Sequence, residues 1–141
     1  MDDLKANIYD VIKTPQLIPI ATITEDGNPW VRYVVGFTGE DLSIRFVTSI
    51  QTRKIAHIKR NPEVHMTCGA KDLESAENYV QIAGKAEVTT DEQERHRLWN
   101  DELKAYFSGP DDPNYCVVII KPYRIELMGM TEMIPQVWEA D

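Results

Sequence analysis

The chain has 141 residues, 43% of them apolar and 27% charged, enough for one globular domain over residues 1–141 and too few for two. A formal net charge of −8 repels polyanions and anionic lipid, which argues against a nucleic-acid-coating or membrane-surface protein. No run approaches the ~20 apolar residues of a bilayer span, and the opening Met1-Asp2-Asp3-Leu4-Lys5 lacks the layout of a secretion signal, so a cytoplasmic protein is expected.

Leu4, Ile8, Val11 and Ile12 have the spacing of a short amphipathic helix that stops before Pro15 and covers one end of a sheet. Ile18 to Thr24 reads as a strand, Asp26-Gly27 as a tight hairpin turn, and Trp30 to Val35 as the returning strand. A second turn at Thr38 to Asp41 leads into a strand from Leu42 to Thr48. Thr52 is placed to cap a helix over Arg53 to Arg60, which Asn61-Pro62 ends.

Strands follow at Val64 to Cys68 and Tyr79 to Val88, where Gly84 points to a bulge or a close backbone approach. Thr90-x-x-Gln93 has the form of a capping box. It opens a helix whose buried stripe is Leu98, Trp99, Leu103, Tyr106 and Phe107, and Ser108 to Pro113 breaks it. The last strands are Tyr115 to Ile120 and Ile125 to Met128, separated by Pro122. Six or seven strands joined by tight turns, with only two or three short helices, predict a mainly β fold: an antiparallel barrel with peripheral helices. A ligand then belongs at the barrel mouth or at a seam between two barrels.

The common catalytic signatures are missing. The three histidines, His57, His65 and His96, lack ligand spacing, so no metal site is expected, and the seven glycines form no Walker loop, dinucleotide fingerprint or nucleophile elbow. Cys68 and Cys116 sit in separate apolar strands and read as core thiols. No side chain stands out as a catalytic acid or base.

The informative stretch is Val47-Thr48-Ser49-Ile50-Gln51-Thr52-Arg53-Lys54, which joins a strand end to a helix start. Cations normally sit at helix C-termini, so Arg53 and Lys54 in the first turn oppose the macrodipole, and a bound phosphate would account for them. The alternative is two solvated surface residues. Arg32 lies mid-strand on the face of Trp30 and Val34, where a guanidinium needs an acid or a ligand phosphate as partner. Tyr79, Gln81 and Lys85 share one strand face that reads equally well as half-solvated.

These residues also carry a resemblance. Ile20 to Pro29, Val31-Arg32, Phe46 to Ser49 leading to Arg53-Lys54, Asn61 to Val64, Val80 to Ala86 and Gly109 to Tyr115 resemble, in order and spacing, the FMN-binding split-barrel proteins related to pyridoxamine 5′-phosphate oxidase, especially their general-stress-protein branch. The resemblance implies a homodimer of six-stranded split barrels with FMN at the subunit interface and an oxidoreductase activity. At matching positions, Arg32, Arg53 and Lys54 would hold the phosphate. The backbone of Arg32, Tyr33, Val34 and Val35 would contact the flavin together with Thr48 and Ser49, Val47 would lie near the ring, and Tyr79 would approach it in the dimer. FAD, F420 and heme are the alternative cofactors, heme the weakest given the histidines, and a flavin-binding stress protein without turnover is the alternative role. Pyridoxamine phosphate oxidases proper carry a basic, arginine-bearing C-terminal motif. Here nothing after Arg124 is Lys or Arg, so the resemblance does not extend to vitamin B6 phosphate oxidation. In that tail Trp138 is expected to cover a flavin or to pack on the partner subunit.

Overall fold

The computed structural model describes residues 2–131 and 133–141, leaving Met1 and Glu132 outside it. Helix α1 (Asp3–Ile12) is capped by Asp2, whose carboxylate accepts from Lys5 N at 2.8 Å, and it buries Ile8 and Ile12. Strands β1 (Gln16–Ile23) and β2 (Pro29–Thr38) form a hairpin across Gly27, at φ 83°. Strand β3 (Ile44–Ser49) starts two residues later than expected. Asp41 accepts from the Ser43 amide and hydroxyl to build a turn, and Leu42 takes a left-handed φ of 70° to place its side chain in the core.

Helix α2 (Arg53–Arg60) turns Ile55 and Ile58 inward. Thr52 occupies its N-cap position, but its hydroxyl donates back to Ser49 O at 2.9 Å instead of capping the helix. Strands β4 (Glu63–Cys68) and β5 (Tyr79–Thr89) follow, then α3 (Glu92–Leu98), β6 (Tyr115–Met128) and β7 (Gln136–Glu139).

The sheet runs β3-β2-β1-β4-β5-β6-β7, all antiparallel, and β3 also pairs with β6, so six strands close into a barrel. β3 takes Tyr115 to Ile120 of one β6 edge, and β7 takes Arg124 to Leu127 further along it. Inward-facing Ile18, Ile20, Phe46, Ile82, Ile120 and Ile125 fill the interior and are at most 1% exposed. No described helix is long and apolar enough to cross a membrane.

Three expectations are corrected. Pro122 does not divide the last strand; β6 runs through it because the register with β5 shifts at Ala83/Gly84, and a missing N–H is tolerated at a bulge. The helix expected from Thr90 to Phe107 ends at Leu98. Asp91, not Thr90, caps it by accepting from Glu94 N, and after Trp99 turns extended a short 3-10 turn covers Asp101–Ala105. Of the supposed buried stripe only Phe107 is buried, packing at 5.1 Å on the Tyr115 ring, while Tyr106 is 78% exposed. Apart from these corrections, Trp138 is half-buried on β7, where one side of it packs on this chain's own core opposite Ile125.

Both cysteines are core thiols as expected, and burial pushes the Cys68 thiol up to about 12. A Cβ on Gly84 would stand 2.9 Å from Ile120 Cγ2 and 3.0 Å from the Lys121 carbonyl oxygen. Gly84→Ala is therefore expected to cost about 1–3 kcal/mol, read as a lower urea midpoint at unchanged slope.

Candidate functional site

The β-sheet period decides which side chains meet. Trp30, Arg32 and Val34 share the inward side of β2, while Val31, Tyr33 and Val35 face outward, as the burial alternation shows. Val34 is buried in the core, so only its backbone is available to a ligand. Arg32 lies near the barrel end, where its Nη1 donates to Thr22 Oγ1 at 2.7 Å and to the Ile20 carbonyl at 3.3 Å. α2 delivers Arg53 and Lys54 beside it, and a hollow of about 410 Å³ is walled by Trp30, Arg32, Gln51, Thr52, Arg53 and Lys54.

No acid answers these charges. Among the described residues none of Arg32, Arg53 and Lys54 forms an ion pair with a carboxylate. Burial and then the nearby Arg53 disfavour the Arg32 charge, and burial and then Arg32 lower the pKa of Lys54. Three mutually repelling cations held together without a counter-charge, in a protein of net charge −8, make a site built to receive an anion. The donor set suits a phosphate: a planar guanidinium fork on each arginine and a point charge on the lysine.

His57 adds a residue that the sequence reading left out. Its Nδ1 lies 2.8 Å from Thr22 Oγ1, the oxygen that also accepts from Arg32. With Arg32 donating to that oxygen, the Thr22 hydroxyl proton is free to go to Nδ1 of a neutral imidazole. Burial first, then Arg32, Arg53 and Arg60, hold His57 below its usual value of 6.5. The helical spacing of Arg53 and His57, i and i+4, was the available signal. Because the folded value is depressed, the neutral ring's contribution to stability is present above 6.5 and is lost as pH falls through the folded value. The urea midpoint of the wild type is expected to drop more between about pH 7.5 and about 5 than that of His57→Gln.

Next to the cations lies a groove of about 810 Å³ on the outer side of the barrel, within the size range of small-molecule sites. Val35 and Phe37 of β2 and Val47 and Ser49 of β3 form one wall, and Leu103, Tyr106 and Phe107 form the other. Thr48 reaches its edge, and Thr52 belongs to both hollows, so groove and cation site are continuous. The structure thus gathers Arg32, Val35, Val47, Thr48, Ser49, Arg53 and Lys54 at one location. The Tyr33 side chain lines neither hollow and is 69% exposed on the outer face of β2, while its backbone runs between Arg32 and Val35, which do. Tyr79 is remote. It opposes Met128 at one end of β5, whereas the groove-side residue Val47 pairs through Val117 with Thr89 at the other. Asn100, Glu102 and Tyr106 were missed as groove residues because the sequence read as one continuous helix there.

Residues 4–129 match the family model described as pyridoxamine 5′-phosphate oxidase. This chain belongs to that family. It is 33% identical over 133 residues to General stress protein 26 of Bacillus subtilis (strain 168), covering 94% of each chain. The crystal structure of General Stress Protein 26 from Bacillus anthracis superposes with a TM-score of 0.83 at 26% identity, over 99% of this chain and 100% of that one. The pyridoxine/pyridoxamine 5′-phosphate oxidase of Citrobacter koseri is 29% identical over 120 residues, which are 84% of this chain and 50% of that enzyme, so the chain spans about half its length. An F420 reductase, at 22% identity and a TM-score of 0.65, and a heme-binding protein from Mycobacterium smegmatis, at 18% and 0.64, share the fold. Family membership makes this a split barrel and supports a flavin or a related cofactor as its ligand.

Proposed function

We propose that this protein is an FMN-dependent oxidoreductase that works as a homodimer, with the flavin phosphate held by Arg32, Arg53 and Lys54 and the ring lying in the adjoining groove. The observation that carries this reading is the unanswered cation cluster opening directly into a groove with apolar walls. When bound, FMN supplies hydride or single-electron transfer. The chain's own residues bind and orient: the cations fix the phosphate end, and the backbone of β2 and the Val47 side chain border the ring. Tyr106 and Phe107 shield the groove from water.

A second copy completes the site. Val31, Tyr33 and Val35 on β2, with Leu17 opposite Val35 on β1, are between 48% and 69% exposed and form an apolar stripe that reaches the groove at Val35. Pairing two such stripes covers them and closes the groove from above, and the Tyr79 that approaches the ring then comes from the partner.

The purified protein is expected to be yellow and to release FMN on denaturation. In titration calorimetry riboflavin, which lacks the phosphate, should bind at least about 100-fold more weakly than FMN, since each charge-assisted hydrogen bond contributes about 1.5–3 kcal/mol. Equal affinities would remove the cation cluster from the binding model. A flavin-binding role without turnover is the second reading, favoured by the groove walls, where Glu102 and Tyr106 are the only titratable side chains among the described residues. Bound flavin that neither NADH nor NADPH reduces would decide for it.

A further inference from the structure

The three cations are not held alike. Arg53 and Lys54 ride on α2, whereas Arg32 is tied to β1 through one nitrogen: Nη1 donates to Thr22 Oγ1 at 2.7 Å and to the Ile20 carbonyl at 3.3 Å. Both hydrogens of Nη1 are thereby engaged. Nε and the two hydrogens of Nη2 have no protein partner among the described residues, and that edge of a guanidinium is the pair of parallel donors that grips a phosphate.

How firmly Arg32 is fixed depends on where one hydroxyl proton goes. Thr22 is 1% exposed, so bulk water does not set its rotor. Its oxygen accepts from Arg32 only while its own hydrogen is turned elsewhere. Among the described residues, the side-chain acceptor at hydrogen-bond distance is His57 Nδ1, at 2.8 Å. Burial, and then Arg32, Arg53 and Arg60, favour the neutral ring, whose Nδ1 can accept.

Building on the flavin reading, we infer that His57 is a positioning residue of the phosphate site: acting through Thr22, it locks the Arg32 guanidinium with its unpaired edge available to the anion hollow. β1 contributes Thr22, β2 contributes Arg32 and α2 contributes His57. The helix thus provides one phosphate ligand, Arg53, in its first turn and, one turn later, the group that aims another. A guanidinium ordered before the ligand arrives loses less freedom on binding, so the relay acts on the phosphate's share of the affinity. A Thr22–His57 contact that merely packed α2 on β1 would leave that share unchanged.

The share is read as the ratio of the riboflavin to the FMN dissociation constant, from titration calorimetry on protein freed of resident ligand. His57→Leu removes the acceptor and is expected to lower the ratio about tenfold, through FMN, with riboflavin affinity within about threefold of the wild type. His57→Gln, whose side-chain oxygen can accept from Thr22, should restore most of the ratio. Thr22→Val, close in shape to the residue it replaces, tests the same link without altering α2 and should match His57→Leu. The double variant should be no worse than either single one, because both break one chain. A ratio unchanged in both single variants, riboflavin affinity falling as far as that of FMN, or fully additive losses would overturn the inference and leave the flavin reading standing. Wild-type protein that binds neither flavin would overturn both.

Discussion

Changing Arg53 and Lys54 together to alanine is expected to abolish flavin retention, lowering FMN affinity by about 100- to 10,000-fold. The range follows from losing two charge-assisted contacts at about 1.5–3 kcal/mol each, with about 1.4 kcal/mol per tenfold. The fold should survive. Arg53 is exposed and Lys54 half-buried at the start of α2, neither is ion-paired among the described residues, and the helix is held by Ile55 and Ile58. Removing two of three like charges also relieves the repulsion that adds to burial in disfavouring the Arg32 charge, so the urea midpoint should rise slightly or stay. Loss of binding together with unchanged or improved stability is the signature of a ligand site, because a structural cluster would lose both. FMN affinity within about threefold of the wild type would remove these cations from the phosphate site.

The barrel was legible because its strands are written in period two and bounded by turn residues with a mechanical role. Asp26-Gly27 set the first hairpin, and the alternation from Ile44 to Phe46 set the inward face of β3. Arg32, Arg53 and Lys54 were legible for the opposite reason: each breaks a local rule, a guanidinium on an apolar strand and two cations at a helix start. The segment between Glu92 and Phe107 was misread because its apolar residues follow a helical period while Trp99 breaks the helix geometry. That error hid Tyr106, whose exposed ring borders the groove. β7 and His57 escaped for a different cause. A four-residue edge strand has little pattern of its own, and His57 acquires its role only through Thr22, thirty-five positions away, to which it is joined by folding.

Tyr33→Glu is expected to convert the proposed dimer to a monomer and to lose FMN with it. Tyr33 is 69% exposed in the single chain and stands at the centre of the Val31, Tyr33, Val35 stripe, so its replacement leaves the barrel interior untouched. In a two-fold dimer the same patch meets itself, and each substitution enters the interface twice. Two carboxylates then have to be desolvated close to one another, which costs several kcal/mol and raises the dimer dissociation constant by about 100-fold or more. Sedimentation velocity reads the association state and calorimetry reads FMN binding on the same samples. Val35 belongs to both the stripe and the groove, so the two losses should track each other across a dilution series. Tyr33→Phe, which keeps the ring, should remain dimeric and loaded. A Tyr33→Glu protein that stays dimeric would move the interface to another face, and a monomer that binds FMN with wild-type affinity would place the whole flavin site within one chain.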